Sequence, residues 1–225
     1  MRASDGVNIP VRDTSTKTEG AMYAEEKVAS LVSADAVLVM RCQEDDCEAF
    51  DEIVALYKDG IYNYIWRMIS NREDAEDLTQ EAFVRAFGAI KSFRRESNLR
   101  TWLYRIAANL CVDRYRRAGL EKQLVVPLAQ SRQDENGDST AFELPDSTHD
   151  PQRVYERTEL QEQIQKALAR LPERLRSVIL LLDLEAMSYE EIAETIGCPV
   201  GTVKSRIFNA RVQLRKLLRP YVEAR

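Results

Sequence analysis

The sequence predicts an all-α protein: two small helical domains joined by an acidic flexible linker, the second domain ending in a helix-turn-helix. Three observations predict it. Only 8 glycines and 7 prolines occur in 225 residues, and no proline falls between Pro10 and Pro127, a pattern hard to reconcile with a turn-rich sandwich or barrel. Apolar residues recur at three- and four-residue spacing through most of the chain. The length suits two modest cores better than one large one.

Residues 1–34 mix Asp, Thr, Ser, Lys and Gly without a sustained period. They read as a flexible N-terminal tail with one weak helical turn near Tyr23 to Leu31. From Asp35 the apolar positions fall at helical spacing, first Val37, Leu38 and Met40, then Phe50, Ile53, Val54, Tyr57, Ile61, Tyr64 and Ile65, which gives a short helix and a longer one. Asn71 is an N-cap with Asp74 three residues on, and the stripe Leu78, Ala82, Phe83, Ala86, Phe87 and Ile90 predicts a third helix over about 72–90. After a loop at 92–98, Trp102, Leu103, Ile106, Ala107, Leu110 and Cys111 mark a fourth helix, Leu99 to Arg117. These helices make a first domain over 35–118.

Residues 119–150 hold Gly, Pro, Ser, Asn and Asp, with seven acids against Lys122 and Arg132 from 121 onward. That composition predicts an extended, self-repelling linker. Periodicity returns after Pro151 with Val154, Leu160, Ile164, Leu168 and Leu171, then Leu175, Val178, Ile179 and Leu182, opening a second domain over 151–225.

Composition removes most enzyme classes. The sole histidine, His149, lies in a polar stretch between Asp146 and Pro151, so a histidine triad, metal cluster or acid–base pair has no material. The glycines form neither a phosphate loop nor a dinucleotide fingerprint. No catalytic residue, cofactor or metal site is expected. Cys42, Cys47, Cys111 and Cys198 are scattered without a Cys-x-x-Cys pair, which favours reduced thiols in a cytoplasmic protein; Cys42 and Cys47, five apart, are either a redox or metal pair or plain thiols. No signal-peptide profile opens the chain, and its apolar clusters fall far short of the roughly 20 residues of a membrane span.

With a net charge of −5, nucleic-acid binding needs local evidence, and two segments supply it. In 187–211, Ser188 and Glu191 form a capping box, Ile192, Ala193 and Ile196 face inward, Gly197 permits a sharp turn, and Pro199 suits the first turn of the next helix. Val203 and Ile207 then anchor a second helix and leave Thr202, Lys204, Ser205, Arg206 and Arg211 for DNA. From Pro199 onward seven cations face one acid. The bland reading is a helical hairpin with a solvated basic face.

In 91–117, eight cations against two acids interleave with Phe93, Trp102, Tyr104 and Tyr115. Aromatic faces stack on unpaired bases while Arg and Lys hold phosphates, so the segment suits melted DNA. Equally, Trp102 and Tyr104 fit the core of an amphipathic helix. A third segment has the opposite sign: in 71–87 five acids face Arg72 and Arg85, and positions 74, 77 and 81 share a helical face. Such a face is either a plain solvated surface or a seat for a basic protein.

With these residues in order, the chain over about 35–218 resembles the extracytoplasmic-function (group IV) sigma factors of bacterial RNA polymerase. The run Asn71 to Phe87 resembles the family's polymerase-binding helix, and Phe93 to Arg117, with Thr101-Trp102-Leu103-Tyr104-Arg105-Ile106-Ala107 and Asn109, resembles its minus-10 segment. The run 187–211, with Gly201-Thr202-Val203-Lys204-Ser205-Arg206, resembles its minus-35 reader.

The resemblance implies that 35–118 is sigma region 2 and 151–225 region 4. It implies that Asp77, Gln80 and Glu81, with Asp74 nearby, hold the clamp helices of the polymerase's largest subunit, while region 4 meets the flap. It places Asn98, Leu99 and Arg100 at the loop that captures a flipped minus-10 base, Thr101, Trp102, Arg105 and Asn109 near the melted strand, and Arg116 and Arg117 on phosphates. Thr202, Lys204, Ser205 and Arg206 fall at the minus-35 major groove, with Arg211 on the backbone. The acidic linker would run through basic channels of the polymerase, and an anti-sigma factor is the family's usual control.

Two departures stand out. Asp45 and Asp46, followed by Cys47 and Glu48, replace the Gly-Asp pair many relatives carry before their second helix, and Glu96-Ser97-Asn98-Leu99 gives the promoter loop its own sequence. No long extension after Arg225 suggests an appended sensory domain. The alternative to this reading is a stand-alone helix-turn-helix regulator, which binds duplex DNA as a dimer and needs neither the acidic helix nor the aromatic strand reader.

Overall fold

The computed structural model describes residues 34–94, 98–124 and 151–223, which form eight α-helices and no strand among the described residues. The tail over 1–33 and the acidic stretch over 125–150 lie outside them. In order the helices are α1 (34–43), α2 (Cys47–Ile69), α3 (Arg72–Ala89), α4 (Leu99–Leu124), α5 (Pro151–Ala169), α6 (Glu173–Asp183), α7 (Tyr189–Ile196) and α8 (Val200–Glu223). A 3₁₀ turn at Ile90–Ser92 follows α3.

Local chemistry sets the boundaries. The Asp46 carboxylate accepts from the Ala49 amide at 3.2 Å and starts α2. Ser70 ends it in the left-handed region at φ 58°, its amide donating to the Trp66 carbonyl at 2.7 Å. One residue later the Asn71 side chain accepts from the Asp74 amide at 3.0 Å and opens α3, as the cap pattern predicts. At the unusual pair before α2, Asp45 adopts φ 68°, the conformation glycine takes at no steric cost. The turn is therefore kept, with Lys91 paired to the Asp45 carboxylate.

The stripes then bury. Ile53, Ile61, Tyr64 and Ile65 of α2 pack with Ala75, Ala82 and Ala86 of α3 and Leu103, Ala107 and Cys111 of α4. Burial pushes the Cys111 thiol up to about 12. The sequence reading set the linker's start at 119, but α4 stays helical to Leu124, so this part of the expectation is corrected. Nothing in Gly119-Leu120-Glu121-Lys122 blocks i to i−4 bonding, because one glycine weakens a helix without ending it.

The second half follows the expected capping box. Ser188 Oγ accepts from the Glu191 amide at 3.2 Å while Glu191 Oε2 accepts from the Ser188 amide at 2.8 Å. Gly197 turns the chain at φ 70°, and the Pro199 carbonyl accepts from the amides of Thr202 and Val203. Pro199 thus sits just before α8 rather than within its first turn. Ile192, Val203, Ile207 and Ala210 are buried between α6, α7 and α8.

The two halves meet. One continuous apolar cluster runs from α1 to α8, with α5 and α6 packed on α2 and α7 packed on α4. No described helix is long and apolar enough to cross a membrane.

Candidate nucleic-acid interface

Helix α3 presents its acids outward because Ala75, Leu78, Ala82 and Ala86 occupy the inward phase. Asp77 and Gln80 are exposed. Glu81 pairs along the helix with Arg85 at 2.5 Å, an exposed i, i+4 contact of small energetic weight. Asp74, half-buried, differs from the others in its partner on another helix, Arg114 of α4 at 2.9 Å. Val84 and Phe87 continue this face as exposed apolar groups, Phe87 edge-on to Phe50 with ring centroids 5.0 Å apart.

Helix α4 divides the residues the resemblance places at the minus-10 element. Trp102, Arg105, Asn109 and Arg116 recur at i, i+3, i+7 and i+14 and so share one stripe. Trp102 is half-buried against Phe93 with centroids 4.9 Å apart, and Asn109, Arg116 and Arg117 are exposed. Leu99 and Thr101 do not join them: they are 2% and 0% exposed and present no surface to a ligand in this arrangement. Asn98 is half-buried at the start of the helix, its side chain accepting from the Arg100 amide at 3.1 Å. Arg100 leaves the stripe and lies near the Tyr104 ring, 5.7 Å from its centroid.

Of the aromatics that interleave with these cations, Tyr104 is core. It is 1% exposed and edge-on to Tyr64 with centroids 5.6 Å apart. Tyr115 turns inward as well, its hydroxyl donating to the Met68 carbonyl at the end of α2. Burial raises the pKa of both hydroxyls.

Helix α8 is simpler. Val203 and Ile207 are buried, Lys204, Ser205 and Arg211 are exposed, and Thr202 and Arg206 are half-buried. The Lys204 ammonium stands 5.9 Å from the Tyr189 ring centroid, and Arg206 donates to the Cys198 sulfur at 3.7 Å. Arg211 meets Asp183 at 3.2 Å with both side chains more than half exposed. A ligand phosphate can displace an ion pair of that kind with little loss.

Sequence reasoning missed the polar joint between the halves. Arg176, 5% exposed, donates to the carbonyls of Met68, Ala169 and Leu171 and, at 2.6 Å, to the Tyr115 hydroxyl. Tyr64 and Ser177 share a buried hydrogen bond of 2.8 Å, and Gln165 donates to Ser70 Oγ at 3.0 Å. Glu185 takes Arg100 at 3.0 Å, and Glu194 takes Arg105 at 3.2 Å. The available signal was a charged and a hydroxylated residue, Arg176-Ser177, set inside the apolar run of α6. Cys42 is buried and Cys47 exposed, and no group of three or more potential metal ligands occurs among the described residues.

Comparison with known proteins extends these observations. The family profile Sigma-70 region 2 matches residues 53–121, and Sigma-70, region 4 matches 161–214. The RNA polymerase sigma-H factor of Pseudomonas aeruginosa is 37% identical over 194 residues, covering 83% of this chain and 94% of that protein. The ECF RNA polymerase sigma factor SigW of Bacillus subtilis is 38% identical over 181 residues, covering 80% and 95%. Among solved structures, the sigma factor RpoE of Bartonella quintana, in complex with the anti-sigma factor NepR, matches at TM-score 0.56 and 26% identity, covering 76% of this chain and 96% of that one. CnrH in complex with the cytosolic domain of CnrY matches at TM-score 0.59 and 25% identity, covering 83% and 98%.

Proposed function

Because the chain belongs to the extracytoplasmic-function sigma factors of bacterial RNA polymerase, we propose a reading in which each segment has a role in starting transcription. The protein binds core polymerase and directs promoter recognition, DNA melting and initiation, under the control of an anti-sigma factor. It acts as an initiation factor without chemistry of its own, in the compartment where polymerase works, the cytoplasm.

The division of labour follows the chain. Region 2 occupies 35–118 with a helical extension to Leu124, and region 4 occupies 151–225. The tail over 1–34 and the acidic stretch before Pro151 flank them. On α3, Asp77, Gln80 and Glu81 hold the basic clamp helices of the largest subunit through charge-assisted hydrogen bonds, with Asp74 joining once Arg114 releases it. On α4, Trp102 stacks on an unpaired base while Arg105, Asn109, Arg116 and Arg117 follow the strand. Asn98 and Arg100 flank the loop that takes the flipped base, and buried Leu99 and Thr101 hold the start of the helix beneath it. Thr202, Lys204, Ser205 and Arg206 read the minus-35 major groove, and Arg211 holds the backbone.

One observation supports this reading most: an exposed acidic face on α3 and an exposed basic face on α8 belong to one chain whose relatives match it over four-fifths of its length. A stand-alone regulator has no use for the first of these. The test adds the purified chain to sigma-free core polymerase and sequences the transcripts made from fragmented genomic DNA of its host. Discrete starts sharing a minus-35 and minus-10 pair are expected. Duplex binding without polymerase and without transcripts would return the stand-alone regulator.

A further inference from the structure

We propose that Gln43 is a positioning residue for the strand reader: its side-chain amide ties down the backbone at Ile90 and Phe93 and so sets the Phe93 ring against which Trp102 rests. The inference rests on the sigma-factor reading for the identity of the ligand, an unpaired base. Its geometry lies wholly within the first half of the chain.

The segment that leads toward α4 needs holding from outside. After the 3₁₀ turn at Ile90–Ser92, Phe93 takes an extended conformation at φ −68° and ψ 115°. Its carbonyl has therefore left the helical ladder and requires a partner elsewhere. Gln43, at the end of α1, supplies one: its Nε2 donates to the Phe93 carbonyl at 2.9 Å and to the Ile90 carbonyl at 3.3 Å. The Ile90 carbonyl also accepts from the Phe93 amide at 3.1 Å, so a single side chain fastens the turn at both ends. Both partners are acceptors, which only the NH₂ of the glutamine amide can serve.

Gln43 is itself well anchored. Arg41, two residues earlier, donates to Asp46 and to Glu52 of α2, both at 2.8 Å, and the amides of Glu44, Asp45 and Asp46 all return to carbonyls of α1. Lys91 pairs with Asp45 from the same turn, an outer contact of small weight because both side chains are exposed. The turn between α1 and α2 thus reaches the 90–93 segment twice, firmly through Gln43 and loosely through Asp45.

Beyond this fastening stands the aromatic pair. The Phe93 and Trp102 rings lie 4.9 Å apart, tilted by 46°, and Trp102 is half-buried, so Phe93 backs one side of the indole and leaves part of it to a ligand. Stacking of a base on an aromatic ring is worth roughly 5- to 150-fold in binding. An indole that rocks loses part of this to the entropy of being ordered.

The experiment uses the full chain carrying Trp66→Phe, which leaves Trp102 as its one tryptophan. Gln43→Met removes the donor, keeps the length and changes no charge. Ser92→Ala is the comparison, because it removes a 2.8 Å hydrogen bond to the Ala89 carbonyl from the same turn without touching Phe93. Circular dichroism and urea unfolding check each fold. Acrylamide quenching of the free chain reads how freely Trp102 meets solvent, and permanganate footprinting against gel shift with core polymerase reads promoter opening against closed complex.

Gln43→Met should raise acrylamide quenching of Trp102 and lower permanganate reactivity about fivefold, with closed complex unchanged. Ser92→Ala should stay within about twofold of its parent in both readings. Unchanged quenching in Gln43→Met would overturn the positioning of Trp102, and a freer Trp102 with undiminished promoter opening would overturn its bearing on the base. An equal change in Ser92→Ala would reduce Gln43 to a plain brace of the turn. If quenching rose as expected but neither the wild-type nor the Trp66→Phe chain started a transcript with core polymerase, the sigma-factor reading would fall and the hold of Gln43 on Trp102 would stand.

Discussion

The two basic helices, α4 and α8, present their charged residues in different ways. In α8 the inward positions Val203, Ile207 and Ala210 are buried and Leu214 and Leu217 pack beyond them, while Lys204 and Arg211 stand outside with loose, mostly solvated partners. In α4 core and reader interpenetrate, since Leu99, Thr101, Leu103 and Tyr104 are buried among the very residues that would meet DNA, and Arg100 and Arg105 already have partners. The lesson is that a charged face standing clear of the core is ready for a ligand as it is, whereas one interleaved with the core is tied to how its neighbours pack.

The sharpest way to break the comparison lies outside both helices. Reversing Asp77→Arg with Glu81→Arg should cost more than about a hundredfold in polymerase capture with the circular dichroism spectrum unchanged; undiminished pull-down would remove the acidic face from the assignment. Next, Leu99→Ala should lower unfolding stability by about 2–5 kcal/mol because it opens a cavity in the core. Trp102→Ala, half-exposed, should leave more stability and instead reduce permanganate reactivity of the promoter without matching loss of closed complex. Equal damage at both steps would place Trp102 in the core beside Leu99.

On α8, Arg206→Ala should shift discrimination at one minus-35 base pair by about 1–3 kcal/mol, whereas Arg211→Ala should weaken all promoters evenly. A promoter library with the same preferences in both variants would remove Arg206 from the base-reading set. Ser188→Ala should cost about 1 kcal/mol in thermal or urea unfolding by losing the cap. The smallest effect is reserved for Asp45→Gly. Relief of the left-handed strain at φ 68° should offset the lost ion pair with Lys91 to within roughly 0.5 kcal/mol.

What was legible in the sequence had a local cause. Asn71, Ser188, Glu191 and Gly197 mark helix ends because their side chains or backbone freedom act within three residues, and stripes such as Val203 and Ile207 follow from the helix period. What was not legible is long-range. Arg176 reaches Met68, 108 positions away, and Glu194 reaches Arg105, 89 positions away; no spacing rule couples such residues. The even choice over the aromatics of α4 shows the same limit. Tyr104 went to the core and Trp102 to its edge because the packing of α2 and α7 on α4 decides it, and neither helix is visible from within 91–117.

The Arg176 contact joins two halves of one polypeptide, and that has a bearing on dose. An inhibitor that must be met in solution is outrun when a cell makes more of its target. A partner carried on the same chain is present at the same effective concentration however many copies exist, so the strength of this contact does not change with the amount of protein made.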